Sequence, residues 1–138
     1  MPLIGPEVRS HEVSLRLDLA PALPPVAADR VQLQQVLINF VMNGIEAMDS
    51  VDRRRELLIR SRPHEADHVL VAVQDAGVGI DSSKTDELFT TFFTTKPGGM
   101  GMGLSISRSI IEAHSGRIWA TPNPEHGATF QFALPGMR

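Results

Sequence analysis

Four glycines within six residues, Gly98, Gly99, Gly101 and Gly103, stand immediately before a segment whose apolar spacing predicts a helix from Ser105 to Ser115. Without a Cβ the backbone reaches φ > 0, and several N–H groups can converge on one anion beside the positive end of a helix dipole. A phosphate fits such a nest, while a hinge or flexible linker is the alternative that glycine content alone leaves open. Both common phosphate-loop patterns fail. Lys96 precedes the glycines instead of following them, and Leu104 and Ile106 fall where G-x-G-x-x-G needs its last glycine.

At 138 residues and 42% hydrophobic, the chain suits a single domain able to bury its own core. A net charge of −3 argues against a general nucleic-acid binder, and Arg53 to Arg55 reads as a solvated loop. The absence of cysteine removes disulfides, thiolate ligands and thiol nucleophiles, a composition that fits a cytoplasmic setting. No apolar run has spanning length and the first residues lack a signal-peptide pattern, so a soluble chain without membrane contact is expected.

Residues 1–11 read as a tail, after which Glu12 to Leu19 alternates, with Val13, Leu15, Leu17 and Leu19 on one face. This is the pattern of a half-buried strand. Asp29 suits the N-cap of a helix from about Arg30 to Met48. Leu33, Val36, Leu37, Phe40, Val41 and Met48 share its apolar face, and Gln32, Gln35, Asn39, Asn43 and Glu46 share the other side. Stacked amides offer neutral oxygen ligands and donors for a metal and phosphates; a plain solvent-facing stripe is the competing reading. Glu56–Arg62 and Val69–Gln74 predict a hairpin. Its tip carries His64-Glu65-Ala66-Asp67-His68, a zinc-protease string in the wrong context, since that chemistry needs a helix.

The second strand of the hairpin runs into Asp75-Ala76-Gly77-Val78-Gly79-Ile80: a carboxylate at a strand end, then glycines that let a flat ligand approach the backbone. A simple Asp-Gly turn is the alternative. Lys84 to Leu88 reads as a short helix and Phe89 to Met100 as a long lid. His114 is expected to pack, Gly116 to stop the helix, and Arg117–Thr121 and Ala128–Leu134 to form the last strands. Hairpins are too frequent for a doubly wound parallel sheet. An α+β fold is expected, a two-layer sandwich with helices on one face of a mixed, mainly antiparallel sheet.

Four separated motifs occur in one order: Asn39 and Asn43 on a helix; Asp75-x-Gly77-x-Gly79; Phe92-Phe93-Thr94-Thr95-Lys96; and Gly99-x-Gly101-x-Gly103-Leu104. Together they make the chain resemble the catalytic and ATP-binding domain of sensor histidine kinases, within the family that includes gyrase-type and Hsp90-type ATPases. The likeness runs from Val13 to Pro135 and implies the Bergerat fold, with ATP and Mg2+ bound beneath a lid. It further implies that Asp75 accepts from the adenine amino group with Thr129 nearby, beside Gly77, Gly79 and Ile80. Asn43 would ligate magnesium. Gly99, Gly101, Met102, Gly103 and Leu104 would form the phosphate loop, and Asn39 and Lys96 would serve the transfer itself, Asn39 on the phosphate side and Lys96 from the lid. Gly44, Met100 and Met102 depart mildly from the residues common in the family.

The resemblance also implies a partner, because such kinases carry the accepting histidine on a separate helical hairpin for which this chain has no room. Ser10-His11-Glu12 imitates the acceptor motif but leads into an alternating strand, so His11 is read as structural. The chain is expected to be one ATP-binding catalytic domain, 1–138, with 1–11 as a tail or a linker remnant from the hairpin. It would act on the histidine-containing dimerisation domain of the same kinase and only indirectly on a response regulator. Hydrolytic relatives place a glutamate where Asn39 stands, and an amide cannot act as a carboxylate base. Kinase is therefore favoured over ATPase, with Glu46 as a weak ATPase candidate. A serine kinase of the anti-sigma type and a non-catalytic nucleotide sensor also stay open at the level of sequence.

Overall fold

The computed structural model describes residues 13–21, 23, 26, 28–48, 55–64, 67–77, 79, 101–123 and 126–136. In chain order they form β1 (Ser14–Leu19), α1 (Arg30–Met48), β2 (Glu56–His64), β3 (His68–Gln74), α2 (Gly101–Ala113), β4 (Arg117–Pro122) and β5 (Ala128–Pro135). The strands make one five-stranded sheet in the order β1-β2-β3-β5-β4. Among the described strands only the β1–β2 pair is parallel, as a strand–helix–strand crossover through α1 requires; β2–β3, β3–β5 and β4–β5 are antiparallel. This is the α+β sandwich the sequence predicts.

Strand parity decides what lies under the helices. Leu57 and Ile59 of β2, Val73 of β3, and Phe130, Phe132 and Leu134 of β5 share the inner face and are buried. Against them α1 sets Val36, Phe40, Val41, Ile45 and Met48, each at most 1% exposed. The Phe40 ring lies 5.7 Å from Phe130 and 6.1 Å from Phe132, in tilted contacts. The predicted apolar face of α1 is therefore the core face.

Asp29 caps α1 through its Oδ1, which accepts from the Gln32 N–H at 3.1 Å. The Asp29 N–H in turn donates to His114 Nε2 at 3.1 Å, while His114 Nδ1 donates to the Ile110 carbonyl at 2.7 Å. His114 thus ties the start of α1 to the end of α2, a packing role as the sequence leads one to expect. The stop of α2 works differently from the expectation. Ser115 takes the left-handed conformation at φ 63°, and Gly116 N–H returns to the Ile111 carbonyl at 2.9 Å. Gly116 is needed for space, because a Cβ there would lie 2.5 Å from the Ala133 carbonyl oxygen.

Strand β1 departs from its pattern. Val13 is buried, but Leu15, Leu17 and Leu19 are 36%, 61% and 57% exposed. These leucines share the inner face with Leu57 and Ile59. However, α1 packs over β2 and β3 and α2 over β4, so the edge strand lies at the flank of both helices. On its other face Asp18 accepts a hydrogen bond from Arg62, which, with the charges of Arg62, Arg60 and Arg16, holds its carboxyl below the usual carboxylate range. The zinc-protease string is split between β2 and β3, with His64 directly opposite His68 across the hairpin and Asp67 in the left-handed region at φ 61°. No helix carries it. None of the described helices is long and apolar enough to cross a membrane.

Candidate nucleotide site

Asp75 follows β3 directly at 3% exposure, and its surroundings fix one oxygen. Oδ1 accepts from the N–H of Gly77 at 2.9 Å and from the N–H of Ala128 at 3.1 Å. The main chain is held as well: Asp75 N–H donates to the Ala128 carbonyl at 2.9 Å, and Asn123 Nδ2 donates to the Asp75 carbonyl at 3.0 Å. A carboxylate clamped through Oδ1 aims Oδ2 at the facing helix, where a Cβ on Gly44 would stand 3.7 Å from it. That is an orienting arrangement for an acceptor, and more than an Asp-Gly turn requires.

The glycines after Asp75 serve the protein's own packing. A Cβ on Gly77 would lie 2.5 Å from the Ala47 carbonyl oxygen, so this glycine lets the loop press on the backbone of α1. Gly79 has φ 83° and Gly127 φ 81°, values that favour glycine. The sequence alone assigns Gly77 and Gly79 to ligand approach; Gly77 also brings the Asp75 loop onto α1.

Along α1 one row of residues faces these contacts. Asn39, Asn43 and Ala47 recur every fourth residue, about 6 Å apart along the axis at 1.5 Å per residue. Asn39 is 4% exposed, accepts from Gln35 Nε2 at 3.1 Å and donates through Nδ2 to Ser107 Oγ of α2 at 3.0 Å. Ala47 meets the Asp75 loop at Gly77. Half-buried Asn43 stands between the α2 contact and the Asp75 contact. The polar stripe is therefore divided: Gln32 and Gln35 face solvent, whereas Asn39 is an internal tie between the helices.

Ser107, fully buried, is a residue that sequence reasoning missed. Its signal was a hydroxyl on the core face of α2, in register with Leu104 and Ile111, where an apolar residue is expected. Ser107→Ala is expected to lower stability by about 1–2 kcal/mol in urea melts, since it withdraws an acceptor from a buried amide. A parent-like melt would show that the tie carries no weight.

Helix α2 begins at Gly101 and not after the glycines, so Gly101, Met102, Gly103 and Leu104 form its first turn. The N–H groups of a helix's first turn have no acceptor within the helix and carry the positive end of its dipole. Leu104 is buried at 4% and also anchors the turn to the core. Thr129 is placed elsewhere than expected. It pairs with Gln74 on the outer face of the sheet and donates from Oγ1 to Asn123 Oδ1 at 2.6 Å, so its side chain does not meet the Asp75 carboxylate. Strand alternation is the reason: the Ala128 N–H reaches Asp75 Oδ1, and the next side chain points away. Ile80, the segment predicted as a lid with Phe92 and Phe93, Lys96, Gly99, Met100, the predicted Lys84–Leu88 helix and the tail with His11 lie outside the described residues.

A sandwich with its described helices on one sheet face thus carries a buried, oriented carboxylate beside an amide-bearing helix. The chain belongs to the family described as histidine kinase-, DNA gyrase B-, and HSP90-like ATPase, which matches residues 28–138. It is 53% identical over 127 residues to the sensor protein FixL of Bradyrhizobium diazoefficiens (strain USDA 110 and its equivalents), covering 92% of this chain and 25% of FixL. The catalytic domain of histidine kinase ThkA superposes with a TM-score of 0.83 at 36% identity, covering 98% of this chain and 86% of that one. A second ThkA structure, a complex with the response regulator protein TrrA, matches at 33% identity and a TM-score of 0.80, covering 99% of this chain and 38% of that one. The chain thus spans about a quarter of FixL's length.

Proposed function

We propose that this chain is the ATP-binding catalytic domain of a sensor histidine kinase, residues 1–138 acting as one unit. It would bind ATP with Mg2+ and pass the γ-phosphoryl group to a histidine on a separate dimerisation domain of the same cytoplasmic kinase. The observation that carries the reading is Asp75, a carboxylate buried to 3% with one oxygen fixed by two backbone N–H groups. Such an oxygen pair recognises an exocyclic amino group, which adenine has and guanine lacks at the same place.

The remaining residues fit the rest of the nucleotide. Asn43, between the Asp75 loop and α2, offers a neutral oxygen suited to magnesium, which when bound neutralises phosphate charge. The first turn of α2, with Gly101, Met102, Gly103 and Leu104, offers N–H groups to phosphate oxygens. Gly79, Ile80, Gly99 and Lys96 complete the proposed site, Lys96 at the terminal phosphate. Asn39 acts by positioning, since its amide holds α1 to α2. An amide engaged in that way cannot take a proton from water, which favours transfer to a histidine over hydrolysis. The response regulator would be the next acceptor.

Saturating ATP with Mg2+, at about 100 times its dissociation constant, should add about 2.7 kcal/mol of stability, and GTP far less. Thermal melts unchanged by ATP with Mg2+ would refute nucleotide binding.

A further inference from the structure

The exposed leucine row of β1 lies on an edge strand, and its backbone is directed outward. Ser14 N–H donates to the Arg55 carbonyl at 2.9 Å and Ala20 N–H to the Ser61 carbonyl at 3.1 Å, so even-numbered residues turn their peptide groups toward β2. By strand alternation Leu15, Leu17 and Leu19 turn both N–H and C=O to the free edge. No described segment pairs with that edge. An apolar row above a hydrogen-bonding edge that no described strand occupies is a template for another strand.

The sequence of β1, Ser-Leu-Arg-Leu-Asp-Leu, selects its partner. In an antiparallel pairing of β1 with itself, leucine rows stay on one face only when odd residues oppose odd ones. Of those registers, one sets Arg16 opposite Arg16 and another sets Asp18 opposite Asp18. The register between them sets Leu17 opposite Leu17, Leu15 opposite Leu19, and Arg16 opposite Asp18 twice over. Unlike charges then fall at the non-hydrogen-bonded positions, where cross-strand side chains are closest.

We propose that β1 is a dimerisation edge for a second copy of this chain, two-fold related and antiparallel about Leu17, which joins the two five-stranded sheets into one. The three outward residues supply backbone hydrogen bonds in both directions and the leucine rows merge on the helix side; on the outer side Arg16, which also pairs with Glu56 of its own sheet, comes opposite Asp18, which also pairs with Arg62 and Arg60, so that the cross-strand charges extend existing ion pairs. Such a closed two-fold contact leaves no further edge exposed at β1. One strand against one strand is a small interface, so association is weak and concentration-dependent.

Sedimentation velocity over a concentration series tests the association. The parent is expected to rise toward twice the chain mass, and Leu17→Lys to stay at the chain mass with an unchanged thermal melt, because Leu17 is 61% exposed. The chain has no cysteine, so single thiols report the register. Leu17→Cys should form a covalent dimer under mild oxidation, since opposed residues at a hydrogen-bonded position have Cα atoms about 5.5 Å apart, within disulfide reach. Leu15→Cys and Leu19→Cys should link poorly alone and readily when mixed. A parent that stays at the chain mass throughout, or a Leu15→Cys variant that links alone as fast as Leu17→Cys, would overturn the proposal.

Discussion

Asp75→Ala is expected to cost about 2–6 kcal/mol of folding stability, whereas Asp75→Asn is expected to leave the fold nearly intact and remove adenine recognition. Alanine strands two buried donors, the N–H groups of Gly77 and Ala128, each at about 1–3 kcal/mol. Against a typical domain stability of about 5–15 kcal/mol, that is a large fraction. Asparagine keeps an oxygen for those two donors and places an NH2 group on the side facing α1. There a purine amino group would meet a donor, a mismatch that lowers ATP affinity about ten- to a hundredfold. Urea melts read the first effect and calorimetric titration with ATP the second. A parent-like melt for Asp75→Ala would remove Asp75 from the structural account, and parent-like ATP binding by Asp75→Asn would remove it from the adenine account.

Gly127→Ala is expected to destabilise by about 3 kcal/mol or more, from two sources that a companion variant separates. Gly127 and Gly79 have nearly equal left-handed angles, φ 81° and 83°. A side chain at either position incurs about 1–2 kcal/mol for that conformation. At Gly79 the added Cβ would be 3.3 Å from the Gly127 carbonyl oxygen, a tight but tolerable contact. At Gly127 it would overlap the Asp75 carbonyl oxygen and come within 2.7 Å of Asp75 Oδ1. The turn would have to withdraw, taking with it the Ala128 N–H that orients the carboxylate. Gly127→Ala should therefore lose both stability and nucleotide affinity, and Gly79→Ala the smaller conformational amount. Equal losses in denaturant melts would show that the overlap is relieved without consequence.

How far the sequence carried varied with the kind of force involved. Periodicity is local, so α1, the β2–β3 hairpin and the β4–β5 hairpin were all legible, and so was the Asp29 cap. The order of motifs pointed to Asp75 and Asn43 as site residues only through the family resemblance. What escaped depends on neighbours distant in sequence. The exposure of Leu15, Leu17 and Leu19 follows from where β1 falls in the sheet order, which alternation cannot report. Ser107 is paired by Asn39, 68 positions earlier. Thr129, placed near the Asp75 carboxylate only by the family resemblance, has its side chain on the opposite face, where alternation carries it. The packing need at Gly77, whose missing Cβ makes room for Ala47 30 positions earlier, was likewise not legible.

The central claim, transfer of a phosphoryl group from ATP to a histidine outside this chain, is tested most directly by mixing the domain with the histidine-bearing hairpin proposed as its acceptor and γ-labelled ATP with Mg2+. The account predicts an acid-labile, base-stable label on the hairpin that is absent when its histidine is replaced and strongly reduced with Asp75→Asn, with little label on the domain alone. Label that is acid-stable on serine, or ATP hydrolysed freely with none reaching the histidine, would contradict it.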